Sequence, residues 1–355
     1  MGYSDKELAQ MSREQVMHCD ADTRLLWFKC LQVKHRELNR VTEEVLHLVH
    51  PANETRIVTL IGMTGIGKTT LAKRILNVVL LRFWQAYMTP SDIPYLMIEA
   101  PANGDRSISW RTLYLRALGS ANEILLDKKK SLKVSDECIV FDNKHYSTLA
   151  ALRESLELML EHRNVRLLVI DEALHLLRFE SYAAVMDTLK SLASIHETKL
   201  MLIGSYDLFE LATEYGQVAR RSDILHYKRY KADLDDDREE FSSTVKKLQA
   251  QWPCADIPNF LSIADELMQA TLGSVGLLKA LMLSALEIQL KAKNHMWSPR
   301  FLQKAAKSIV LLNKIRTETE QGELKLAGAT FGESMFSDTD VLARVAQKMG
   351  GSDGR

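Results

Sequence analysis

Cysteine, net charge and long apolar runs are all scarce in this chain, and each shortage excludes a class of protein. The four cysteines stand far apart, without C-x-x-C spacing and without a histidine cluster beside them. This spacing argues against a metal site and favours isolated thiols. The sequence opens without a secretory apolar segment, and no apolar run approaches membrane-spanning length. We therefore expect a protein of the reducing cytoplasm that makes no membrane contact.

The charge balance limits how the chain could bind nucleic acid. Its 46 basic residues are matched by 46 acidic ones, so the formal net charge is zero. A neutral chain is not a general electrostatic binder of DNA. Any contact with DNA must come from a local basic patch or from a surface that several copies share.

The most informative segment is a phosphate-binding loop with the pattern G-x-x-x-x-G-K-T. A β-branched apolar run at 57–61 precedes it, and apolar residues at helical spacing follow it. Strand, glycine-rich turn and helix is the context that this motif requires. Backbone amides would face the phosphates of ATP, Lys68 would reach the β- and γ-phosphates, and the Thr69 hydroxyl would hold Mg²⁺. The predicted loop residues are Gly62, Met63, Thr64, Gly65, Ile66, Gly67, Lys68, Thr69 and Thr70.

Strand-like and helix-like segments alternate on the carboxyl side of this loop. The predicted strands are 94–99, 165–172, 199–205 and a short run at 224–227. The predicted helices between them are about 109–118, 147–162 and 182–196. This alternation predicts an α/β fold with a parallel sheet that helices cover on both faces.

The composition along the chain predicts four parts. They are an N-terminal helical arm (1–50), an α/β nucleotide-binding domain (51–234), a helical lid (235–315) and a partly flexible tail (316–355). The lid pattern contains four candidate helices, at 238–251, 258–270, 275–293 and 299–315.

Polar residues that follow two of the predicted strands are candidates for the chemistry. Asp171 is placed to hold the magnesium ion, and Glu172 is placed to act as the general base that deprotonates the attacking water. A strand can end in an acid by chance, but an acidic pair beside a phosphate-binding loop predicts ATP hydrolysis. Ser205, after the next strand, is a candidate contact for the γ-phosphate or the water, and turn formation is its alternative role.

Paired arginines at Arg220 and Arg221 are further candidates. Hydrolysis develops negative charge at the γ-phosphate, and an arginine from a neighbouring subunit can stabilise it. Paired arginines are also commonly solvated or salt-bridged, so both interpretations stay open.

Together these segments resemble the TniB/TnsC family. Its members are AAA+ ATPases of Tn-seven-like transposons, some of them possibly CRISPR-associated, and are related to the phage transposition protein MuB. The resemblance covers roughly residues 20–315. The Walker motifs are widely shared, whereas the paired arginines with the glycine–lysine segment at 273–279 are more particular to this family. The segments that carry it are 62–70, Asp171-Glu172, Ile203-Gly204-Ser205, 217–221 and 273–279.

The resemblance implies an AAA+ P-loop ATPase with a C-terminal helical lid. It makes Arg221, by its spacing from Gln217, a better match to the arginine finger than Arg220. It also places Gly276 and Lys279 at the nucleotide. Many AAA+ lids carry an arginine where Gly276 stands, so sensing of the nucleotide by a lid arginine is not expected here.

The resemblance further implies a bacterial, nucleoid-associated protein that assembles on duplex DNA as a ring or helical filament. It would grip the phosphate backbone without reading sequence, and it would recruit transposase subunits and a target-selector protein. A solvated basic face is the alternative for each candidate DNA contact. Those candidates are Arg106, Trp110, Arg111, Lys128, Lys129, Lys130 and Lys133.

The sequence thus predicts an ATP-dependent regulator of DNA transposition, with ATP and Mg²⁺ as its cofactors. A helicase-loader or origin-recognition ATPase is the alternative within the same group. A STAND-type signalling ATPase that binds no DNA is a second alternative, although the chain lacks the long repeat sensor of that class. A small-molecule kinase is a third, against which the acidic pair and the helical lid argue.

Overall fold

The computed structural model describes residues 3, 5–79, 89, 91–102, 110–123, 132–135, 138–141, 148–176, 182–195, 198–209, 222–292 and 294–330. The strands within these residues are β1 (Ile57–Ile61), β2 (Tyr95–Glu99), β3 (Leu132–Ser135), β4 (Cys138–Phe141), β5 (Leu167–Asp171), β6 (Lys199–Gly204) and β7 (Ser222–His226). The helices are α1 (Asp5–Gln10), α2 (Arg13–Met17), α3 (Ala21–Cys30), α4 (Arg36–Leu48), α5 (Lys68–Val79), α6 (Trp110–Ser120), α7 (Leu149–His162), α8 (Tyr182–Ala193), α9 (Asp235–Ala250), α10 (Ala264–Ala270), α11 (Val275–Lys291), α12 (Pro299–Ala305) and α13 (Ile309–Thr330). Short 3₁₀ turns cover Ala173–Leu176 and Phe260–Ile263.

The main sheet is parallel and has the strand order β2-β5-β6-β1-β7. Every residue of the central strands β1, β5 and β6 is buried, as expected of a sheet covered on both faces. The predicted α/β arrangement is therefore confirmed. Because parallel strands end at one edge, the residues that follow Ile61, Asp171 and Gly204 come close together there. Ile61 is the register partner of Gly204, which brings two of these strand ends side by side.

The antiparallel pair β3–β4 was not predicted. Lys133, a candidate DNA contact, belongs to β3 and is paired with Val140 of β4. The strand alternates apolar and polar residues over only four positions, which is too short a run to stand out in a sequence.

The helical part after residue 235 has a core of its own, and the first helices of the chain contribute to it. Trp252 lies at its centre, with ring contacts to Phe28, Phe260 and Trp297 at centroid distances of 5.4, 5.0 and 5.9 Å. Trp27 and Phe28 of α3 are both buried in this cluster. In contrast, α4 packs its apolar face on the sheet core. The residues predicted as an N-terminal arm are thus divided between two cores.

The predicted helix 299–315 was wrong, while the boundaries of the four predicted parts stay predictions. α12 ends at Ala305, because Ala306 turns to an extended conformation, and a new helix starts after Ser308, whose hydroxyl accepts a hydrogen bond from the Leu311 amide. α13 then runs on to Thr330. Its inward face carries Thr319, which is buried and bonded to a backbone carbonyl of its own helix. A polar residue on the buried face hides the helical period from the sequence.

α13 returns to the α/β part and packs beside Ser205. A Cβ atom added to Gly322 would lie 2.1 Å from Cγ of Tyr206, so the helix backbone rests directly on that ring. Next along the helix, Glu323 forms a largely buried ion pair with Arg229, at 2.9 Å between Nε and Oε1. None of the helices in the described ranges has both the length and the hydrophobicity to cross a membrane.

Two buried histidines predict how stability depends on pH. His35 lies between the hydroxyls of Tyr230 and Tyr227, at 3.0 and 3.2 Å from its ring nitrogens. Burial lowers the pKa of His35 to about 4, and burial likewise lowers the pKa of His226 to about 4. Since an unfolded histidine binds a proton near pH 6.5, the unfolded state takes up protons in the window from pH 6.5 to 4 while the folded state does not. For each histidine, we expect the free energy of unfolding to fall by up to about 1.4 kcal/mol for each unit by which the pH is lowered in that window.

Urea unfolding at pH 7, 6 and 5 measures this loss. His35→Gln should make the decline in stability between pH 6.5 and 4 shallower, because its amide does not titrate. His162→Gln, at an exposed position of α7, is the control and should leave the slope as it is. An unchanged slope in His35→Gln would show that this histidine is not the group responsible.

Candidate nucleotide-binding and catalytic site

The phosphate-binding loop connects β1 to α5 at the carboxyl edge of the sheet. Its shape requires glycine at two positions, since Gly65 has φ +81° and Gly67 has φ +106°, values that side chains with a Cβ rarely adopt. α5 begins at Lys68, directly after the second of these glycines. The N-terminus of α5 therefore opens onto the loop, where an anion would be favoured by the helix dipole and by the first amide groups.

Lys68 reaches back across the loop. Its Nζ donates to the carbonyls of Gly62 and Met63 at 2.9 and 3.1 Å. Burial lowers the pKa of Lys68, and the negative charges of Glu172 and Asp171 act in the opposite direction. A buried ammonium held by two neutral carbonyls is poorly compensated, so a phosphate would be a stronger partner for it.

Thr69 and Asp171 meet although they are about a hundred positions apart in the chain. The Thr69 hydroxyl donates to Oδ2 of Asp171 at 2.7 Å. Hydroxyl and carboxylate oxygens are ligands that Mg²⁺ accepts, together with oxygens of the bound phosphates. The residues present fit the ion. Within the described ranges, no group of three or more His, Cys, Asp or Glu residues could hold a metal alone, so phosphate oxygens and water would complete the shell.

Glu172 has a backbone conformation that is uncommon for a residue with a side chain. Its φ is +51°, and its amide donates to Oδ1 of Asp171 at 2.9 Å. Non-glycine residues in the left-handed region are found preferentially at functional sites, because the surrounding structure must hold them there. The Glu172 side chain is exposed at the edge of the sheet, where it could contact a water molecule.

Ser205 lies at the same edge, after β6, which runs between β1 and β5. Its Oγ atom is buried and has no hydrogen-bond partner among the residues that the structure describes. A buried hydroxyl without a partner is costly, and a ligand oxygen at this edge would satisfy it. The alternative role, turn formation, uses only the Ser205 backbone, whose carbonyl accepts from the Leu208 amide at 3.1 Å.

The helical part covers the loop through the start of α11. Ser274 caps this helix by accepting from the Leu277 amide, and its hydroxyl donates to the Gly65 carbonyl at 3.2 Å. A Cβ atom added to Gly276 would lie 2.1 Å from that same carbonyl oxygen. Glycine at 276 therefore allows the lid to touch the loop backbone, and no larger residue fits without movement.

A cleft of about 550 Å³, which includes its open mouth, lies beside the loop. One wall is the segment between α3 and α4, and the other is the start of α11. The first of these walls could not be assigned from the sequence, because no motif marks it. Its lining residues are Leu31, Gln32, Val33, His35, Leu38, Ile66, Gly67, Thr70, Arg74, Tyr227, Leu248, Val275, Gly276 and Lys279.

Lys279 lines this cleft, but its charged end points elsewhere. Nζ donates to the carbonyl of Lys29 at 2.6 Å and to the carbonyl of Leu31. The nucleotide contact that the family resemblance implied for Lys279 stays a prediction.

Of the remaining candidate residues, the structure describes three. Trp110 and Arg111 form the start of α6, and the Trp110 ring packs partly against the sheet core. Lys133 is a residue of β3. The candidate arginines and lysines that lie outside the described residues are Arg106, Lys128, Lys129, Lys130, Arg220 and Arg221.

Comparison with known proteins agrees with this geometry. Residues 52–212 match a protein-family model described as an AAA domain. The chain is similar to the ORC1 protein of Aeropyrum pernix, solved in complex with DNA, at 16% identity and a TM-score of 0.54, with 83% of this chain and 68% of that chain covered. It is also similar to the ORC2 protein of the same organism in its ADP form, at 16% identity and a TM-score of 0.52, with 78% and 68% covered. No curated protein matches the sequence significantly. The chain has the AAA+ P-loop ATPase fold that the resemblance implied, whereas the narrower TniB/TnsC assignment stays a prediction.

Proposed function

We propose that this protein is an ATPase that binds ATP with Mg²⁺ and hydrolyses it to ADP and phosphate. The observation that carries the proposal is the 2.7 Å contact between Thr69 and Asp171, which joins the phosphate-binding loop to the acidic end of β5. Lys68, Glu172 and Ser205 lie around this contact at one edge of the sheet. Phosphate, metal and water would each find a chemically matched group there.

Each residue has a distinct task in this proposal. Lys68 would neutralise the β- and γ-phosphates, and Thr69 and Asp171 would hold a magnesium ion, which would supply positive charge to the phosphate oxygens. Glu172 accepts the proton of the attacking water, and Ser205 positions the water or the γ-phosphate. Arg221, with Arg220 as the less favoured candidate, would come from a neighbouring copy and stabilise the charge that develops during transfer.

We further propose that hydrolysis serves as a timer in the regulation of DNA transposition. The support is the combination of sequence segments shared with the TniB/TnsC family, above all the glycine-containing start of α11. ATP-bound copies would assemble on duplex DNA and recruit transposase and a target selector. They would dissociate from the DNA after hydrolysis. Because Gly276 lies directly against the loop backbone, a change in the loop on hydrolysis would reach the lid through this contact.

An origin-recognition or helicase-loader role is the second candidate. It is favoured by the similarity in fold to the Aeropyrum pernix ORC1 protein, whose structure was solved in complex with DNA. The two candidates share ATP-dependent assembly on DNA and differ in the protein that is recruited. A strand-transfer assay with the cognate transposase separates them, because only the transposition regulator should stimulate strand transfer in the presence of ATP.

DNA binding in this proposal depends on ATP and on assembly, because a chain of zero net charge holds DNA weakly as a single copy. We expect affinity for unrelated duplexes to be similar and to fall steeply with salt, with a log–log slope of about −0.9 for each phosphate neutralised. Fluorescence anisotropy with ATP, ADP or no nucleotide measures this.

A double variant tests the proposed DNA contacts. Arg106→Ala with Arg111→Ala should weaken binding to all duplexes alike and leave ATP binding intact. Arg300→Ala on α12 serves as the control. Tight binding without nucleotide that does not respond to salt would overturn the assembly model.

A further inference from the structure

The last carbonyls at the end of helix α3 are bonded to the lid by one side chain, that of Lys279. α3 stops at Cys30, and Leu31 continues in an extended conformation with ψ 134°. The last carbonyls of a helix have no donor within the helix. Nζ of Lys279 fills this role, with hydrogen bonds to Lys29 at 2.6 Å and to Leu31. A positive charge at a helix C-terminus is also favoured by the helix dipole.

This lysine is not an ordinary surface residue. Burial lowers the pKa of Lys279 to about 8, so the side chain remains largely charged at neutral pH. A charge held away from water needs hydrogen-bond partners, and the two carbonyls provide them. Lys291, on the same helix, differs: its side chain is exposed and pairs with Glu287 one turn away.

The tied segment is one wall of the cleft beside the phosphate-binding loop. Leu31 and Val33 line it on one side, and Gly276 lines it on the other. Its floor includes Gly67 and Thr70, so the cleft begins where the phosphates of a bound nucleotide would end. A mostly apolar slot in this position suits the base of a nucleotide, which is a flat aromatic ring joined to the phosphates through a sugar.

We propose that Lys279 is a positioning residue that holds the Leu31–Val33 wall against α11 and so shapes the slot for the base of the nucleotide. The proposal rests on the nucleotide binding proposed above. Lys279 does not touch the phosphates in this arrangement. Loss of its two hydrogen bonds releases the Leu31 end of the wall, whereas the Lys247 bond to the Lys34 carbonyl still holds the other end. The slot for the base then changes shape while the phosphate-binding loop stays as it was.

Two ligands that share phosphates and differ in the base distinguish this role from a general structural one. The Kd values of ATP and of inorganic tripolyphosphate, each with Mg²⁺, are measured by calorimetry for the parent, Lys279→Met, Lys279→Arg and Lys291→Met. We expect Lys279→Met to raise the Kd for ATP about tenfold, as for the loss of a charged hydrogen bond. The Kd for tripolyphosphate should stay within about twofold of the parent value. Lys279→Arg keeps donors at this site and should recover most of the ATP affinity, while Lys291→Met should match the parent.

Steady-state kinetics gives a second readout. With Lys279→Met, the KM for ATP should rise about tenfold and kcat should stay near the parent value, because the groups around Thr69 and Asp171 are unchanged. If Lys279→Met does not fold, as judged by its circular dichroism, Lys279→Gln replaces it and should show the same selective loss.

Three results would overturn the inference. Equal losses for ATP and tripolyphosphate would mean that Lys279 supports the loop rather than the base slot. Unchanged ATP affinity in Lys279→Met would mean that Lys279 does not shape the slot, while the proposed binding of ATP would still stand. A parent protein that binds tripolyphosphate and ATP equally well has no base slot, and one that binds neither contradicts the proposed function itself.

Discussion

Replacing Lys68 with alanine is expected to abolish ATP binding at micromolar protein concentrations. The Lys68 side chain is partly buried, and its hydrogen-bond partners at 2.9 and 3.1 Å are the neutral carbonyls of Gly62 and Met63. Phosphate oxygens would give it charged partners, and removing one member of a buried charged pair typically costs about 2–5 kcal/mol. We therefore expect the Kd for ATP to rise at least about 100-fold. Calorimetric titration with ATP and Mg²⁺ measures it.

Lys73→Ala is the matched control for this experiment. Lys73 lies on the same helix as Lys68 but is exposed, so its loss should change the Kd for ATP by less than about twofold. DNA assembly that depends on ATP should be lost in Lys68→Ala and kept in Lys73→Ala. Normal ATP affinity in Lys68→Ala would refute the assignment of the phosphate-binding loop.

Glu172→Gln should separate binding from hydrolysis. Glutamine keeps the size of the side chain and leaves the +51° backbone conformation in place, but it cannot accept the proton of the attacking water. Loss of a general base typically slows the reaction about 10²–10⁴-fold. We expect ATP to bind with near-parent affinity, kcat to fall by that factor, and complexes on DNA to dissociate more slowly. Release of labelled phosphate under saturating ATP gives kcat, and dilution of preformed complexes gives their lifetime.

The control for this variant is Glu161→Gln, an exposed carboxylate at the end of α7. It should hydrolyse ATP as the parent does. Parent-like hydrolysis in Glu172→Gln would move the role of base to another residue, whereas loss of ATP binding would point to Glu172 as a structural support of the loop.

The parts of the site that lie on continuous sequence patterns were predictable. A glycine-rich turn between an apolar strand and a helix fixes its own geometry, because Gly65 and Gly67 need positive φ. The strand that ends in Asp171 is recognisable as a buried apolar run, and the parallel arrangement then places its end beside the loop. The pairing of Thr69 with Asp171 follows from these two local patterns together.

The cleft beside the loop could not be predicted in the same way. The Lys279–Lys29 contact joins residues 250 positions apart, and the Ser274–Gly65 contact joins residues 209 apart. Periodicity shows which face of a helix is apolar, but it does not show which other face will cover it. The segment at 31–35 carries neither a motif nor a strong period, although it forms a wall of the candidate site. The roles of Arg220 and Arg221 stay predictions from the sequence.

The core around Trp252 also has a consequence for the order in which the chain folds during synthesis. Trp27 and Phe28 leave the ribosome more than two hundred residues before Trp252 and α11, which pack against them in the folded chain. At typical elongation rates of about 5–20 residues per second, that interval is roughly 10–45 s. During it the sheet strands β1 and β5 are synthesised, while the Phe28 ring still lacks Trp252, its ring partner. The core around Trp252 is therefore completed only after the helices that follow residue 235 have been synthesised.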